Sequence, residues 1–178
     1  YQQLYQIPKW SNKKWNIKTG GAINYLQTFR INTALQNNAV GAESFINIFG
    51  VLQANKDISR TKSINKKIVG FIKYNRAPRK RELSYQLDAG VINSNIRNGY
   101  AYIGQASVTN NPPFLDNYNF SFLSGIRFRT KIGYQVFLEN GNAIAIGYHW
   151  DAMKTTNKLD KFELAMHTIS IGLMFRTK

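Results

Sequence analysis

The clearest feature of the sequence is an alternation of apolar and polar residues that runs from Tyr118 to Leu138. The even-numbered positions are mostly apolar or aromatic, and the odd-numbered positions carry Arg127, Arg129 and Lys131 among small and polar residues. Because successive side chains of an extended strand point to opposite faces, this period of two predicts a β-strand with one apolar and one basic face. The apolar face could contact either a protein core or lipid.

Similar strand-like segments recur along the chain, whereas helical periodicity is scarce. They are separated by turns and loops rich in Asn, Lys, Pro and Gly, and we predict eight strands, at residues 15–26, 40–53, 66–75, 82–93, 99–108, 118–138, 142–151 and 162–175. Residues 1–14 are predicted to be a polar, basic lead-in and residues 15–178 a single β domain. The segment 40–53 is apolar on both faces and fits the alternation least well.

The connection between strands 118–138 and 142–151 predicts a register. A loop of Glu139, Asn140 and Gly141 places glycine at the left-handed position of a bulged three-residue turn. The pairs that follow put apolar and aromatic side chains on one face, namely Leu138 with Asn142, Val136 with Ile144, Tyr134 with Ile146, Ile132 with Tyr148, and Thr130 with Trp150. Turn chemistry and face pattern therefore agree on this pairing.

Residues 118–138 are interpreted as one long strand that carries a bulge or projects into a loop region, since it would span about 70 Å at roughly 3.3 Å per residue. A hairpin that turns at Arg129-Thr130-Lys131 is the alternative. That triplet has no Gly, Asn or Pro to favour a tight turn.

Composition narrows the possible classes of protein. The chain has 178 residues, a net charge of +15 and no cysteine, so disulfides, thiolate chemistry and cysteine-based zinc sites are excluded. The charge favours polyanionic partners such as phosphorylated lipid head groups, nucleic acid or acidic proteins. No apolar run is long enough for a transmembrane helix, but β-strands cross membranes with a much weaker hydropathy signal.

An even number of strands whose apolar faces end in Tyr and Trp predicts an all-β fold, an eight-stranded antiparallel up-and-down transmembrane β-barrel. A soluble sandwich or barrel is the alternative. The predicted lipid-facing and girdle residues are Trp15, Tyr118, Phe120, Ile132, Tyr134, Ile146, Tyr148, Trp150 and Phe175. The predicted polar network of the lumen comprises Asp88, Arg127, Arg129 and His149, and the buried cations are expected to pair with Asp88, Glu82 or Glu43.

The C-terminal third resembles the small outer-membrane barrels that include the OmpA-, OmpX- and opacity-like proteins. The resemblance lies in Ile132-Gly133-Tyr134, the turn Glu139-Asn140-Gly141, Gly147-Tyr148-His149-Trp150, and the closing strand Ile171-Gly172-Leu173-Met174-Phe175. It implies a bacterial outer-membrane location after removal of a signal peptide, with lipid and lipopolysaccharide around the protein. If the last strand ends in the periplasm, the alternation of strand direction places residues 76–81 outside and residues 139–141 inside. The chain departs from this group by continuing past the terminal aromatic residue with Arg176-Thr177-Lys178.

Histidine chemistry suggests one enzymatic alternative. The lipid A deacylase barrels, to which the chain has a weaker similarity, carry a His-x-Ser pair where this sequence has His149-Trp150-Asp151. Asp151 replaces the serine, so the nucleophile of such an esterase is missing. We therefore predict that the protein is not an enzyme, that it has no catalytic or metal-ligating residues and that it binds no cofactor.

The densest basic cluster is Arg76-Ala77-Pro78-Arg79-Lys80-Arg81. It is either a solvated loop or a phosphate contact for lipopolysaccharide through Arg76, Arg79, Lys80 and Arg81, since arginine suits bidentate phosphate binding. A soluble basic barrel that binds nucleic acid is a further alternative, but a stacking platform needs aromatics and cations on one face. The sequence thus predicts a structural or interaction role, as a subunit or anchor of an envelope assembly with other envelope proteins, without an open pore and without nucleic acid.

Overall fold

The computed structural model describes residues 1–31, 40–68, 72–98, 118–156 and 162–176. Apart from a 3-10 turn at Pro8–Trp10, the regular structure in these ranges is β-strand. The ten strands are β1 (Gln2–Gln6), β2 (Trp15–Ile31), β3 (Val40–Asp57), β4 (Ile64–Ile68), β5 (Ile72–Arg76), β6 (Arg81–Asn98), β7 (Tyr118–Ser121), β8 (Ile126–Phe137), β9 (Ala143–Lys154) and β10 (Glu163–Met174). No helix within the described part of the chain is long and apolar enough to cross a membrane.

Eight of these strands form one antiparallel sheet, so the predicted all-β antiparallel fold is confirmed. The order is β1-β2-β3-β6-β8-β9-β10, with β7 also paired to β6. Arg127 of β8 donates a hydrogen bond to Asn24 of β2 over 3.0 Å, although two strands separate them in the sheet. The sheet therefore curls around an interior. Within the described ranges the two edge strands, β1 and β10, do not pair with each other, so closure into a barrel stays a prediction.

The predicted hairpin between β8 and β9 is confirmed residue by residue. Val136 pairs with Ile144, Ile132 with Tyr148, and Thr130 with Trp150. Leu138 accepts a hydrogen bond from the Gly141 N–H over 3.0 Å and donates one to Asn142 over 2.7 Å. Gly141 has a φ of +83°, which only glycine adopts readily.

The long alternation from Tyr118 to Leu138 does not turn back on itself, so the hairpin alternative is wrong. Both β7 and β8 pair with β6, at Ser121 with Asn95 and at Phe128 with Ala89, and they continue along it in the same direction. Between them the chain leaves the ladder at Phe122–Gly125, where Leu123 and Gly125 have φ values of +53° and +85°. The predicted single strand is thus divided into two collinear strands by an irregular four-residue segment, where a bulge or a projecting loop was expected.

The prediction of one strand over residues 66–75 is wrong. These residues contribute to β4 and β5, which pair with each other in a separate two-stranded sheet, with Ile68 opposite Ile72. Three residues separate Ile68 from Ile72. A connection with an odd number of residues preserves the alternation of faces, so periodicity does not distinguish a hairpin from a single strand here.

Residues 76–81 lie at the same end of the main sheet as the turn 139–141, and not at the opposite end as predicted. The Phe137 N–H donates a hydrogen bond to the Lys80 carbonyl over 3.0 Å. The predicted strand 99–108 lies outside the described residues.

The lead-in predicted for residues 1–14 contains a strand that we did not predict. Gln2–Gln6 has no apolar alternation, and it joins the sheet by pairing with Lys18–Ala22 of β2. Its backbone passes so close to Gly20 that a side chain there would overlap the main chain of Gln3. Backbone pairing against a glycine therefore places β1, which hydrophobic patterning alone does not reveal.

Candidate functional site: a charged interior behind an apolar outer face

The outer face of the sheet is apolar and exposed. One row of directly paired residues crosses four strands, from Tyr85 to Ile132, Tyr148 and Ile169. Ile132 is 45% exposed and Ile169 is 77% exposed, and every residue of this row exposes more than a third of its surface. Neighbouring outward positions continue the surface with Leu52, Leu83, Leu87, Phe128, Ile144, Ile146 and Ile171. A contiguous apolar surface of this kind marks contact with lipid or with another protein.

The inner face carries the opposite chemistry. Asp88 is completely buried and lies 2.7 Å from Nη2 of Arg129. Arg127 is also buried and makes a two-pronged contact with Asp151, with Nε to Oδ1 at 3.0 Å and Nη2 to Oδ2 at 2.7 Å. Such paired geometry offsets the cost of removing charges from water.

Asparagine side chains extend this network across the interior. Arg127 Nη1 donates to Oδ1 of Asn47 over 2.5 Å and to Oδ1 of Asn24 over 3.0 Å. Asn47 in turn donates to Asn93 over 3.0 Å, and Asn93 donates to the carbonyl of Gly125 over 3.2 Å. The contacts join β2, β3, β6 and β8, so the network holds the curl of the sheet.

Aromatic rings of β3 complete the interior packing. Phe49 is buried with the guanidinium carbon of Arg129 3.9 Å from its ring centre, a cation–π contact. Phe45 packs against Phe162 with ring centres 5.0 Å apart. Arg97 lies 4.9 Å from the centre of the same Phe162 ring and 3.4 Å from Glu43.

The inward rings explain why the segment 40–53 is apolar on both faces. Phe45 and Phe49 pack inside, while Ile46, Ile48 and Leu52 point outward.

The structure brings the predicted lumen residues Asp88, Arg127, Arg129 and His149 to one face of three neighbouring strands. Of the expected acidic partners, Asp88 pairs with Arg129, whereas Glu43 pairs with Arg97. Sequence reasoning missed Asp151 as the partner of Arg127. Its shared face with His149 was the available signal.

The predicted girdle residues occupy the outer face or the strand ends. Phe120 and Phe175 are exposed by 63% and 73%, and Trp15, Ile132, Ile146 and Tyr148 are also exposed, while Tyr134 and Trp150 are half-buried. The side chain of Tyr118 lies outside the described residues. At the outer rim, Nζ of Lys56 lies 4.9 Å from the Trp15 ring centre.

The predicted phosphate-contact residues are spread over three elements. Arg76 ends β5 with a side chain outside the described residues, and Arg81 begins β6 half-buried. Arg79 is exposed and pairs through its backbone with Arg60 at 3.0 and 3.1 Å, while exposed Lys80 lies 4.7 Å from the Phe137 ring centre. Arg79 and Lys80 thus form a basic surface at the end of the sheet where the turn 139–141 lies.

The two histidines lie on opposite faces. His167 is on the outer face, where its Nδ1 lies 2.7 Å from the hydroxyl of Tyr148, and His149 is on the inner face beside Lys131. Asp151, in the position of the esterase serine, is held by Arg127. Among the described residues no three His, Asp or Glu side chains converge as metal ligands would.

Comparison with known proteins adds no assignment: no family model, curated protein or solved structure matches this chain.

Proposed function

We propose that this chain forms an integral β-barrel of the bacterial outer membrane and serves as a structural anchor or a subunit of an envelope assembly. The single observation that carries the proposal is the inverted polarity of the sheet, with charged pairs buried on the inner face and isoleucine, leucine and tyrosine exposed on the outer face. A soluble β-protein would show the reverse arrangement.

The outer face supports lipid contact on energetic grounds. Apolar surface left in water costs about 25 cal/mol per Å², a cost that lipid removes. The row from Tyr85 through Ile132 to Ile169 is continuous across neighbouring strands rather than scattered. Trp15 with Lys56 at the rim adds the aromatic and cationic chemistry favoured at a membrane interface.

The inner face supports a structural role instead of a pore. Phe45, Phe49, Asn47 and the arginines that contact them fill the interior beside the β7–β8 interruption. A layer of side chains that fills the interior at one level leaves no continuous channel for solutes, even where another level is less filled. The proposal also requires partners for the outer edges of β1 and β10, because unpaired backbone groups are too costly in hydrocarbon.

The alternatives receive less support from the same contacts. For an esterase, the Asp151 carboxylate is already engaged by Arg127. For nucleic acid, Phe128 and Ile132 face outward while Arg127 and Arg129 face inward, so no shared stacking face forms among them.

The proposal is tested by extraction and by gel migration. We expect the full-length protein to stay in membranes washed with alkaline carbonate, to dissolve only in detergent, and to migrate differently before and after boiling. A protein that is released by carbonate and remains a monodisperse monomer without detergent would overturn the proposal.

A further inference from the structure

The inner face is layered, because cross-strand partners place equivalent side chains in rows. One row consists of Lys18, Gln53, Gln86, Lys131, His149 and Thr168. The next row towards the turn 139–141 consists of small side chains on four consecutive strands, Ser84, Gly133, Gly147 and Ser170. Where the side chains are shortest the interior must be least filled.

A hollow lies at this place. It has a volume of about 430 Å³, and its lining includes Gln53, Gln86, Lys131 and His149 on one side and the serine–glycine row on the other. The Phe49–Arg129 layer, one row further from the turn, limits the hollow on that side. A volume of this order suits a monosaccharide-sized ligand.

Lys131 is a cation without an anionic partner in the described part of the chain. Its direct cross-strand neighbours are Gln86 and His149, and its inward neighbour along β8 on one side is another cation, Arg129. The two nearby carboxylates are committed, Asp88 to Arg129 and Asp151 to Arg127. The hollow therefore combines a net positive potential with one lysine available to a ligand.

The neutral residues around Lys131 carry alcohol and amide groups. The hydroxyls of Ser84 and Ser170 donate to the carbonyls of Gly133 and Gly147 and keep lone pairs that can accept hydrogen bonds. The Thr168 hydroxyl can donate and accept, and the Gln53 amide, which donates one hydrogen bond to Gln86 over 3.2 Å, keeps a second N–H and a carbonyl oxygen. Such groups, grouped around one cation, match a ligand that carries several hydroxyls and one oxyanion. An inorganic anion would contact Lys131 but would be too small to contact the hydroxyl and amide groups around it as well.

We propose that this hollow is a binding site for a small anionic saccharide. Lys131 contacts its phosphate or carboxylate group, and the side chains of Ser84, Thr168 and Ser170 contact its hydroxyls. The site lies on the inner face, so it does not depend on whether the outer face contacts lipid.

The test is calorimetric titration of the detergent-solubilised protein with glucose 6-phosphate, glucose and inorganic phosphate. We expect saturable binding of glucose 6-phosphate and at least about tenfold weaker binding of glucose, because a hydrogen bond to a charged group is lost. Equal affinity for glucose and glucose 6-phosphate, or no saturable binding of either, would overturn the proposal. Phosphate binding as tight as that of glucose 6-phosphate would overturn the assignment to a saccharide.

Three variants locate the site. Lys131→Met keeps the aliphatic stem and removes the charge, and it should weaken glucose 6-phosphate binding by about tenfold or more. Ser170→Phe, on the exposed edge strand β10, should block the hollow sterically. Lys56→Met, at the outer rim, is the matched control and should bind like the parent protein; an unchanged affinity in Lys131→Met would contradict the proposal. Circular dichroism confirms that each variant is folded.

Discussion

The two faces of this sheet have exchanged the roles that they hold in a soluble protein. On the inner face Asp88 and Arg127 are buried and Arg129 is 12% exposed, and their side chains are joined by short contacts that link four strands. On the outer face Ile132, Ile146 and Ile169 face away from the protein. The difference teaches that binary patterning shows that a strand has two chemically distinct faces, whereas the surroundings decide which face is the inside.

Of the substitutions that test the difference between the two faces, the removal of one buried charge should lower the free energy of unfolding most. Asp88→Ala leaves Arg129, whose side chain is only 12% exposed, without its carboxylate, and we expect a loss of about 3–5 kcal/mol in the free energy of unfolding. Urea denaturation of the protein in detergent or lipid measures this loss. The double variant Asp88→Leu with Arg129→Met should recover most of it, because no unpaired charge remains. A stable Asp88→Ala variant would show that the inner face is hydrated.

A charge on the outer face should have the next largest effect. Ile132→Arg is expected to lower the free energy of unfolding in lipid by about 2–4 kcal/mol near the bilayer midplane. Ile58→Arg is the matched control, since Ile58 is also exposed but lies beyond the end of β3. Equal tolerance of both substitutions in reconstituted vesicles would contradict lipid contact at Ile132.

A substitution in the turn that keeps β8 and β9 in register should have the third largest effect on the free energy of unfolding. Gly141→Ala forces a side chain into a left-handed conformation and towards Arg176, which we expect to cost about 1–2 kcal/mol. Glu139→Ala in the same turn is the control and should be nearly neutral. Urea denaturation compares the two variants, and an equal effect would show that another contact sets the register.

The smallest effect is expected from an exposed ion pair. Lys154 and Glu163 are 2.6 Å apart, but both side chains are more than half exposed. Glu163→Ala should therefore change the free energy of unfolding by at most about 1 kcal/mol, in contrast to Asp88→Ala. A loss as large as that of Asp88→Ala would remove the distinction between buried and exposed pairs.

Much of the β8–β9 region could be predicted from the sequence, because turn chemistry and face parity constrain the same register independently. The strand over 66–75 failed since a hairpin with an odd connection satisfies the same parity. β1 was missed because its polar residues are placed by backbone pairing against Gly20. These errors concern local patterns that two structures satisfy equally.

The interior was only partly predictable for a different reason. Parity identified Asp88, Arg127 and Arg129 as inward-facing, but partner choice depends on the curl of the sheet. That curl brings Asn24 and Asn47 to Arg127 from distant parts of the chain, and no pattern along the sequence encodes it. The hollow beside Lys131 likewise becomes visible only when four strands align their small residues.

The central claim, that the outer face contacts lipid, is tested most directly by spin labels along β8 and β9. The chain has no cysteine, so single cysteines can be introduced at Ile132, Tyr134 and Ile146 on the outer face and at Lys131, Gln135 and Ala145 on the inner face. In lipid vesicles the account predicts that the outer positions are relaxed strongly by oxygen and weakly by a water-soluble nickel complex, and that the inner positions lack this high oxygen accessibility. Outer positions that the nickel complex relaxes as strongly as oxygen does would contradict the account.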